Sequence, residues 1–411
     1  MLKTLPRHAA MEQFPILEGE LHIAGKPIST LAAELGQTPF YAYDMKIIDG
    51  QIKRLRKTLP ASIKLHYAIK ANPMPALLQH MAARVNGLDV ASGGELASAL
   101  ASGMSPASIS FAGPGKRIEE LAAAIRAGVL LNVESRREVE ALADLSHQLG
   151  LPARVAVRVN PDFELKSSGM KMGGGAKPFG VDAEEVPALL TRIGELGLGF
   201  EGFHIFAGSQ NLRPEAIVDA QQQSYLLALR LAADAPSAVT SLNLGGGFGI
   251  PYFPGDTPLD LTPIGENLAA LAARAAGELP QAELVIELGR YLVGEAGIYV
   301  CRVIDRKVSR GQVFLVCDGG LHHHLAASGN FGQVIRKNYP VIIGNKASPA
   351  QTETVSVVGP LCTPLDILAE RMELAVAEPG DLVVVYQSGA YGFTASPRGF
   401  LSHPDAVEIL L

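Results

Sequence analysis

The sequence predicts an α/β protein in which a (β/α)8 TIM barrel is joined to a C-terminal antiparallel β domain. Apolar strand-like segments alternate with Ala/Leu/Glu-rich helical segments from about residue 63 to residue 289, a pattern typical of parallel βαβ units. Eight such strands over about 230 residues match the count and length of a (β/α)8 barrel. After about residue 291 the alternation stops and β-rich segments dominate.

The predicted barrel strands are short and apolar, and helical segments such as Ile118–Ala127 and Arg136–Leu149 lie between them. A doubly wound open sheet is the alternative, but such a sheet usually carries a dinucleotide-binding fingerprint near its start. We find no such fingerprint in the sequence. The eight predicted strands are Ile63–Lys70, Gly87–Ser92, Ser108–Gly113, Leu130–Ser135, Arg154–Asn160, Phe200–Phe206, Ser241–Gly246 and Glu283–Gly289.

The β-rich remainder contains a hairpin signal, because Ser309-Arg310-Gly311 separates two strand-like segments, Tyr299–Lys307 and Gln312–Asp318. Short β segments near the N-terminus have no partners before the barrel begins, so we expect them to join this second domain. The predicted domains are therefore a barrel over 45–290 and a β-rich domain over 1–44 and 291–411. The other strands expected in the β-rich domain are Leu21–Ile23, Phe40–Tyr43, Thr352–Val358, Asp381–Tyr386 and Ala406–Leu411.

Composition narrows the class of protein. The chain has 411 residues, 48% hydrophobic and 18% charged, with a formal net charge of -6 and no basic run, so neither a nucleic-acid nor a membrane partner is expected. No stretch approaches the roughly 18 apolar residues of a membrane span, and the N-terminus lacks the apolar core of a signal peptide. Three widely spaced cysteines predict a reducing, cytoplasmic location rather than a disulfide framework or a zinc site.

Polar residues interrupt the predicted strands near their carboxyl ends, which is where the active site of a TIM barrel lies. Taken singly, each has an ordinary explanation as a helix cap, a core histidine or half of an ion pair. Their joint placement at one rim is harder to obtain by chance and predicts a functional site. These residues are Lys70, Asp89, Ser92, Arg158, His204, Gly245–Gly247, Glu287 and Arg290.

Lys70 and the glycines after the seventh strand indicate a particular cofactor. A lysine at a strand end can lose part of its hydration and become a nucleophilic amine. Glycines at 245–247 allow backbone N–H groups to approach an anion, and the loops after strands 7 and 8 recurrently bind phosphate in such barrels. A phosphate site facing this lysine predicts pyridoxal 5′-phosphate (PLP), held as a Schiff base by Lys70.

Glu287 indicates the reaction. A carboxylate at the end of an apolar strand is costly unless it is paired, and a pyridinium N–H would satisfy it. A protonated ring is a strong electron sink that favours loss of CO2, whereas an arginine in this place would suit racemisation. The sequence therefore predicts a decarboxylase, with an amino-acid racemase or epimerase as the alternative and a non-catalytic PLP-binding protein as a third reading.

Several motifs resemble the signatures of fold-type III PLP-dependent decarboxylases, the group of the diaminopimelate, ornithine and arginine decarboxylases. The resemblance covers about residues 15–405 and implies an alanine racemase-like barrel, a β domain, and a homodimer in which each subunit completes its partner's active site. The motifs are His66–Pro73, Gly87–Leu96, Arg158–Pro161, Gly245–Gly247, Glu287–Arg290, Gly359–Cys362 and Gly389–Tyr391.

The resemblance also implies roles for individual residues. Lys70 would be the Schiff-base lysine, Glu287 would face the pyridinium nitrogen, and Cys362 would protonate the carbanion from the other subunit. His204 would stack on the ring, and Arg158 would lie near its hydroxyl. The remaining implied cofactor contacts are Asp89, Phe206, Ser209, Gly245, Gly246, Gly247, Leu288, Gly289, Arg290 and Tyr391, and the implied substrate contacts are Arg290, Thr363, Asp366 and Tyr391.

Two positions depart from the family pattern. The known amino-acid decarboxylases usually carry an acid immediately after the cysteine, where it grips the distal amino group, but Thr363 occupies this place and the next acid is Asp366. The segment His204–Ser209 does not fit the usual His-x-Gly-Ser turn, so either Phe206 or His204 could stack on the ring. These departures put diaminopimelate, ornithine and arginine in doubt as substrates.

Both departures, together with the ending Phe400–Pro404, resemble the subgroup associated with exosortase and exopolysaccharide gene clusters. They also resemble decarboxylases that act on an aminoacyl group carried by an acyl-carrier protein. A carrier-bound aminoacyl group or a free amino acid is therefore the expected substrate, with diaminopimelate decarboxylase proper as the alternative. No metal is expected, because the neighbouring side chains of His322–His324 would point in different directions.

Overall fold

The computed structural model describes residues 6–164, 170, 171, 173–333 and 335–411. Sequence alone predicts a mobile lid in the loop after the fifth barrel strand, around Gly173–Gly175, and residues 165–169 and 172 of that loop lie outside the described residues.

The strands, numbered in chain order, are β1 (Ile16–Leu17), β2 (Glu20–Ile23), β3 (Lys26–Pro27), β4 (Phe40–Tyr43), β5 (Lys64–Ala68), β6 (Gly87–Val90), β7 (Ile109–Phe111), β8 (Leu130–Val133), β9 (Arg154–Asn160), β10 (Met170–Lys171), β11 (Val181–Asp182), β12 (Gly199–Ile205), β13 (Gly208–Ser209), β14 (Ser241–Gly246), β15 (Glu283–Leu288), β16 (Gly297–Ser309), β17 (Gln312–Cys317), β18 (Val341–Ile343), β19 (Thr352–Val358), β20 (Ile367–Ala375), β21 (Leu382–Val385) and β22 (Val407–Leu410).

The α-helices are α1 (Ile28–Leu35), α2 (Met45–Thr58), α3 (Pro75–Ala82), α4 (Gly93–Ala101), α5 (Ile118–Ala127), α6 (Arg136–Leu149), α7 (Val186–Glu195), α8 (Pro214–Ala232), α9 (Thr262–Glu278) and α10 (Arg290–Val293). Short 3-10 helices lie at Ile69–Ala71, Pro106–Ser108, Gly294–Ala296, Gly344–Lys346 and Phe400–Ser402. Within the described residues, no helix combines the length and the apolar character that crossing a membrane requires.

The described chain forms two compact units. The barrel unit comprises Ile52–Gly249 and Leu259–Gly289, and the β unit comprises the described residues up to Gln51 together with Ile250–Pro258 and Arg290–Leu411. Relative to the domains predicted from the sequence, residues 45–51, 250–258 and 290 lie in the β unit instead of the barrel unit.

The barrel unit confirms the predicted fold class. Strands β5, β6, β7, β8, β9, β12, β14 and β15 pair in parallel in this order, and β15 pairs with β5 to close the barrel. Each of the eight predicted strands is present, with ends that differ by a few residues. All carboxyl ends of these parallel strands therefore meet at one rim.

The β unit is built around the long strand β16, which pairs antiparallel with β4, β17 and β21. The predicted hairpin is confirmed, because Ser309 pairs with Gln312 and the two turn residues Arg310 and Gly311 have φ values of 48° and 78°. Positive φ at both central residues is the signature of a type I′ turn, which matches the twist of the flanking strands.

Two strand pairs of the β unit differ from the predicted antiparallel arrangement. Strand β17 pairs parallel to β19, and the C-terminal strand β22 pairs parallel to β4. The chain between β17 and β19 is long enough for the crossover that a parallel pair requires. As expected, N-terminal segments join this unit: β4 enters its large sheet, while β2 forms a small sheet with β1 and β3.

Candidate active site

Lys70 lies just beyond the first barrel strand. Strand β5 ends at Ala68, two residues earlier than predicted, and Lys70 is the middle residue of the 3-10 helix that comes next. The Tyr67 hydroxyl donates a hydrogen bond of 2.9 Å to the carbonyl of Asn72 and so ties this turn to the strand. Because the Lys70 side chain is 47% exposed, its amine is accessible at the carboxyl end of the strand.

Glu287 is buried inside the barrel on β15, next to His66 of β5 in the strand register. Its Oε1 lies 3.7 Å from Lys70 Nζ, and its Oε2 lies 3.1 Å from His204 Nε2. Burial opposes ionisation of this carboxyl, but the charges of Lys70, His204 and Arg158 outweigh burial and hold the pKa of Glu287 well below its usual range. The side chain is therefore a carboxylate at neutral pH.

His204 lies beside this carboxylate, and Phe206 lies beside the lysine. His204 is only 3% exposed; its Nε2 faces the Glu287 carboxylate, whereas its Nδ1 has no hydrogen-bond partner among the described residues. The Phe206 ring centroid is 5.8 Å from Lys70 Nζ. Of the two residues that could stack on a cofactor ring, His204 is thus near Glu287 and Phe206 is near Lys70, and Nδ1 of His204 retains unused hydrogen-bonding capacity.

His66 and Asp89 form a second ion pair inside the barrel, with His66 Nδ1 3.0 Å from Asp89 Oδ1. Burial lowers the pKa of His66, but the attraction of Asp89 outweighs it and leaves the pKa above its ordinary value. Burial and the negative charge of Glu287 oppose ionisation of Asp89, which raises the pKa of Asp89 although His66 favours its ionised form. The barrel interior therefore holds two carboxyl groups in different electrostatic environments.

Arg158 projects from β9 at the level of His204, its neighbour in the strand register. Its Nη1 donates a hydrogen bond of 2.9 Å to Glu134 Oε1, and its guanidinium lies 5.2 Å from the Phe179 ring centroid. The ion pair is nearly buried, since the side chains of Arg158 and Glu134 are 10% and 2% exposed.

The glycine run at the end of β14 makes a sharp backbone bend. Gly245 and Gly247 have φ values of 70° and 74°, which favour glycine, and Asn243 Oδ1 accepts a hydrogen bond of 2.8 Å from the Gly245 N–H. A Cβ on Gly246 would lie 2.0 Å from the carbonyl oxygen of Glu287. The bend therefore requires glycine both for its conformation and for its close approach to β15.

The other barrel residues of the predicted site lie at the same rim. Ser209 pairs with Met170 in a short antiparallel ladder, and Leu288 pairs with Tyr67 of β5. A Cβ on Gly289 would lie 2.9 Å from the Ala71 Cβ, so this glycine packs against the turn that carries Lys70.

In the β unit, Arg290 is held among aromatic side chains. Its Nη1 donates a hydrogen bond of 2.9 Å to the Tyr252 hydroxyl, and its guanidinium lies 4.7 Å from the ring centroid of Tyr391. Burial lowers the pKa of Arg290, but neighbouring tyrosines outweigh it and keep the pKa above its ordinary value. Tyr391 has a φ of 54°, an uncommon conformation for a bulky residue that often marks a functional site.

Cys362 and Thr363 lie in a loop of the β unit, and the cysteine is exposed. Asp366 is 2% exposed, and its two carboxylate oxygens accept hydrogen bonds of 2.6 and 2.8 Å from the N–H groups of Leu321 and Leu361. The role of Asp366 as a substrate contact stays a prediction; in the structure its oxygens bind the backbone N–H groups of Leu361, in the Cys362 loop, and of Leu321.

Two of the three consecutive histidines, His323 and His324, have separate hydrogen-bond partners inside the β unit, whereas the ring nitrogens of His322 have none among the described residues. His323 Nε2 is 2.8 Å from the Pro404 carbonyl oxygen, and His324 Nε2 is 2.9 Å from Ser388 Oγ. Burial lowers the pKa values of His322 and His324 to about 3, so both rings are neutral. In the part of the chain that the structure describes, no group of three or more His, Cys, Asp or Glu residues could hold a metal ion.

The residues at the barrel rim fit PLP. An accessible amine can bind an aldehyde, a buried carboxylate can accept a hydrogen bond from a ring N–H, and a glycine bend that a Cβ would fill can hold a phosphate. Within the described residues, Nδ1 of buried His204 has no hydrogen-bond partner, which is also consistent with a polar group that completes this site.

Sequence reasoning missed three residues of this region: Glu134, His66 and Tyr252. Glu134 comes directly after β8 and lies within the predicted strand Leu130–Ser135, so the criterion of polar residues at strand ends could have found it. His66 belongs to the motif that carries Lys70, but its partner Asp89 is known only from the structure. Tyr252 lies in a loop, and no sequence signal points to it.

Comparisons with known proteins agree with this site. Residues 45–294 match the family model of the pyridoxal binding domain of pyridoxal-dependent decarboxylases. An L-glutamyl-[BtrI acyl-carrier protein] decarboxylase of Niallia circulans is 37% identical over 91% of this chain and 89% of its own length. A diaminopimelate decarboxylase of Aquifex aeolicus is 33% identical over 97% of this chain and 93% of its own length.

Solved structures give the same result. The structure superposes on diaminopimelate decarboxylase from M. jannaschii in co-complex with L-lysine with a TM-score of 0.87, at 25% identity over 97% of this chain and 93% of that chain. An SrLDC mutant in complex with PLP gives a TM-score of 0.80 at 26% identity, over 95% of this chain and 96% of that chain. This chain belongs to the pyridoxal-dependent decarboxylase family.

Proposed function

We propose that this carboxy-lyase removes CO2 from an aminoacyl group that is carried by an acyl-carrier protein. The observation that carries the proposal is the buried Glu287 carboxylate, placed 3.7 Å from the accessible amine of Lys70 in the barrel unit. When bound, PLP supplies an electron sink for the electron pair that departing CO2 leaves behind.

Each barrel residue would then contribute one physical effect. Lys70 would hold the cofactor aldehyde covalently through Nζ. The Glu287 carboxylate would accept a hydrogen bond from the ring N–H and keep the proton there, because its low pKa keeps it ionised. His204 or Phe206 would pack against the ring, and Arg158 would place a positive charge near the ring hydroxyl.

The phosphate and the substrate carboxylate would be bound by a second set of groups. The backbone at the Gly245–Gly247 bend and Ser209 would hold the phosphate. Arg290 and Tyr391 of the β unit would bind the phosphate or the substrate carboxylate, since Tyr252 already orients the guanidinium. Asp89, Leu288 and Gly289 would shape the remainder of the cofactor pocket.

We propose that Cys362 donates the proton that replaces CO2 and that it acts in the active site of a partner subunit. The cysteine is exposed in the β unit, and its loop is fixed by buried Asp366. A homodimer with shared sites would use this placement, because a thiol can act as a general acid once it reaches a reacting carbon.

The residue after Cys362 supports the carrier-bound substrate. Thr363 cannot form an ion pair with a distal ammonium, and both Asp366 oxygens already accept backbone hydrogen bonds. The relative from Niallia circulans is described as acting on a carrier-bound glutamyl group. Diaminopimelate is the second candidate, because the relative from Aquifex aeolicus matches 97% of this chain.

Release of CO2 across a panel of aminoacyl carriers, free amino acids and diaminopimelate tests the substrate. We expect release from an aminoacyl carrier at a kcat/KM at least about 100-fold above that for any free amino acid. Comparable release from diaminopimelate would refute the carrier-bound proposal but not the decarboxylase assignment.

Borohydride reduction followed by peptide mapping should place the cofactor on Lys70, and a Lys70→Ala protein should lose the visible absorbance of lysine-bound PLP.

We further propose that the protein works in the cytoplasm. All three cysteines have free thiols, and Cys301 and Cys317 are buried on neighbouring strands without a disulfide, as a reducing compartment favours. Fractionation of the producing cells would test this location.

A further inference from the structure

We propose that Glu134 is a positioning residue that holds the Arg158 guanidinium in place beside the cofactor ring. This inference rests on the proposed function, in which Arg158 faces the ring hydroxyl. In this proposal Glu134 does not contact cofactor or substrate itself, and it acts only by holding Arg158.

The Glu134 carboxylate joins three parts of the barrel rim. Its Oε1 accepts hydrogen bonds of 2.9 Å from Arg158 Nη1 and 2.5 Å from the Gly113 N–H, which lies just after β7. Its Oε2 accepts a hydrogen bond of 2.9 Å from the Gly180 N–H, which lies just before β11. Two oxygens therefore receive three donors, and the carboxylate has little freedom to turn away from Arg158.

The backbone of Glu134 is held by a hydrogen bond to Glu138, in the first turn of the helix that follows. Glu138 Oε2 accepts a hydrogen bond of 2.7 Å from the Glu134 N–H, while Lys116 Nζ donates to Glu138 Oε1 at 2.9 Å. Lys116 and Glu138 are both buried, and the hydroxyl of Ser135 accepts the Glu138 N–H at the start of α6. A helix cap and a buried ion pair thus set the position of Glu134 before any cofactor binds.

The guanidinium is restrained on its other side by Phe179, whose ring centroid is 5.2 Å away. A planar guanidinium that is stacked on a ring and hydrogen-bonded at its edge has few alternative orientations. Arg158 is 10% exposed at its side chain, so loss of the Glu134 carboxylate would leave a nearly buried charge that must seek water. The Arg158 guanidinium would then move away from the cofactor ring.

This mechanism gives a spectroscopic signature with a definite sign. A positive charge beside the ring hydroxyl disfavours protonation of the nitrogen that links Lys70 to PLP, and so lowers the pH midpoint of the visible absorbance band. If Glu134 acts by holding Arg158, its loss should raise the midpoint. If Glu134 acted only through its own negative charge, its loss should lower the midpoint.

The test compares Glu134→Met, Arg158→Met and the double variant, each as full-length protein reconstituted with PLP. We expect both single variants to weaken PLP binding at least about tenfold, as loss of a charge-assisted hydrogen bond predicts, and to raise the midpoint. The double variant should match Arg158→Met in both measurements. A lowered or unchanged midpoint in Glu134→Met would overturn the inference.

A control and a milder variant keep the test decisive. Glu140→Met removes a surface carboxylate that pairs with Arg192 on α7, so it should change neither PLP affinity nor the midpoint. Should Glu134→Met fail to fold, Glu134→Gln retains the volume and one acceptor, and a smaller upward shift is expected. If Arg158→Met itself changes nothing, the proposed role of Arg158 fails; if only the Glu134 variants are silent, the inference alone fails.

Discussion

Glu287 Oε1 lies 3.7 Å from Lys70 Nζ, at the ends of two strands, β15 and β5, that close the barrel. The carboxylate is buried and the amine is half exposed, so the pair combines a fixed charge with an accessible nucleophile. Closure of the barrel by the pairing of β15 with β5 brings these residues together, although 217 positions separate them in the sequence (287 − 70). The pair is therefore a product of the fold.

Glu287→Gln should slow decarboxylation by about 100-fold or more, the cost of removing one preorganised electrostatic partner. The amide keeps the size of the side chain but no longer favours a protonated ring nitrogen. Single-turnover CO2 release measures the effect. Glu283→Gln, at the exposed start of the same strand, removes a carboxylate paired with Lys64 and should leave the rate unchanged. Equal rates for Glu287→Gln and wild type would contradict the assignment.

The His66–Asp89 pair should make the stability of the cofactor-free protein depend on pH. The folded-state pKa of His66 is raised, so its contribution to the free energy of unfolding is complete below about pH 6.5 and is lost as pH rises through the folded pKa. Thermal unfolding of wild type and His66→Gln should therefore differ more at about pH 6 than at about pH 9. His147→Gln, on the exposed face of α6, serves as the control, and a pH-independent difference for His66→Gln would refute the ion pair.

The sequence predicts the barrel well because its strands are local patterns, whereas contacts between side chains depend on register. Lys70, Glu287 and His204 could be placed at one rim from strand ends alone, since parallel strands align their carboxyl ends. The pairing of Glu134 with Arg158 could not be predicted in this way, because it depends on which interior side chains face one another. The hydrogen-bond partners of Asp366 could not be predicted from the sequence either. One of the two backbone N–H groups that bind its oxygens belongs to Leu321, which is far away in the sequence.

Gly246→Ala should weaken PLP binding and destabilise the barrel. The new Cβ would lie 2.0 Å from the Glu287 carbonyl oxygen, so β14 and β15 must separate, at a cost of about 1–3 kcal/mol. Fluorescence titration with PLP and denaturant unfolding would measure the two effects. In contrast, Gly277 lies in α9 with open space around it, and Gly277→Ala should stabilise the protein by about 0.5–1 kcal/mol. No loss of PLP affinity in Gly246→Ala would argue against a phosphate site at this bend.

Mixed dimers should reveal whether active sites are shared. Co-expressed Lys70→Ala and Cys362→Ala chains, purified through two different tags, would form a heterodimer with one site that is intact and one that lacks both groups. We expect about half of the wild-type CO2 release per dimer from this protein, because a two-fold dimer has two equivalent sites. Homodimers of either variant should be far less active. If the heterodimer is no more active than these homodimers, Cys362 acts in its own subunit or not at all.

Thr363→Glu should shift the substrate preference toward amino acids with a distal ammonium. Thr363 comes directly after the exposed Cys362 and is itself partly accessible, so a carboxylate there can reach an ion-pairing partner that Asp366 cannot. A buried ion pair with a substrate ammonium discriminates strongly, because a site without the carboxylate leaves that charge unpaired. We expect kcat/KM for diaminopimelate to rise at least about tenfold, measured as CO2 release. Thr363→Gln, which has a similar shape but no charge, should not produce this gain, and an equal gain in both variants would show that charge at this position does not set specificity.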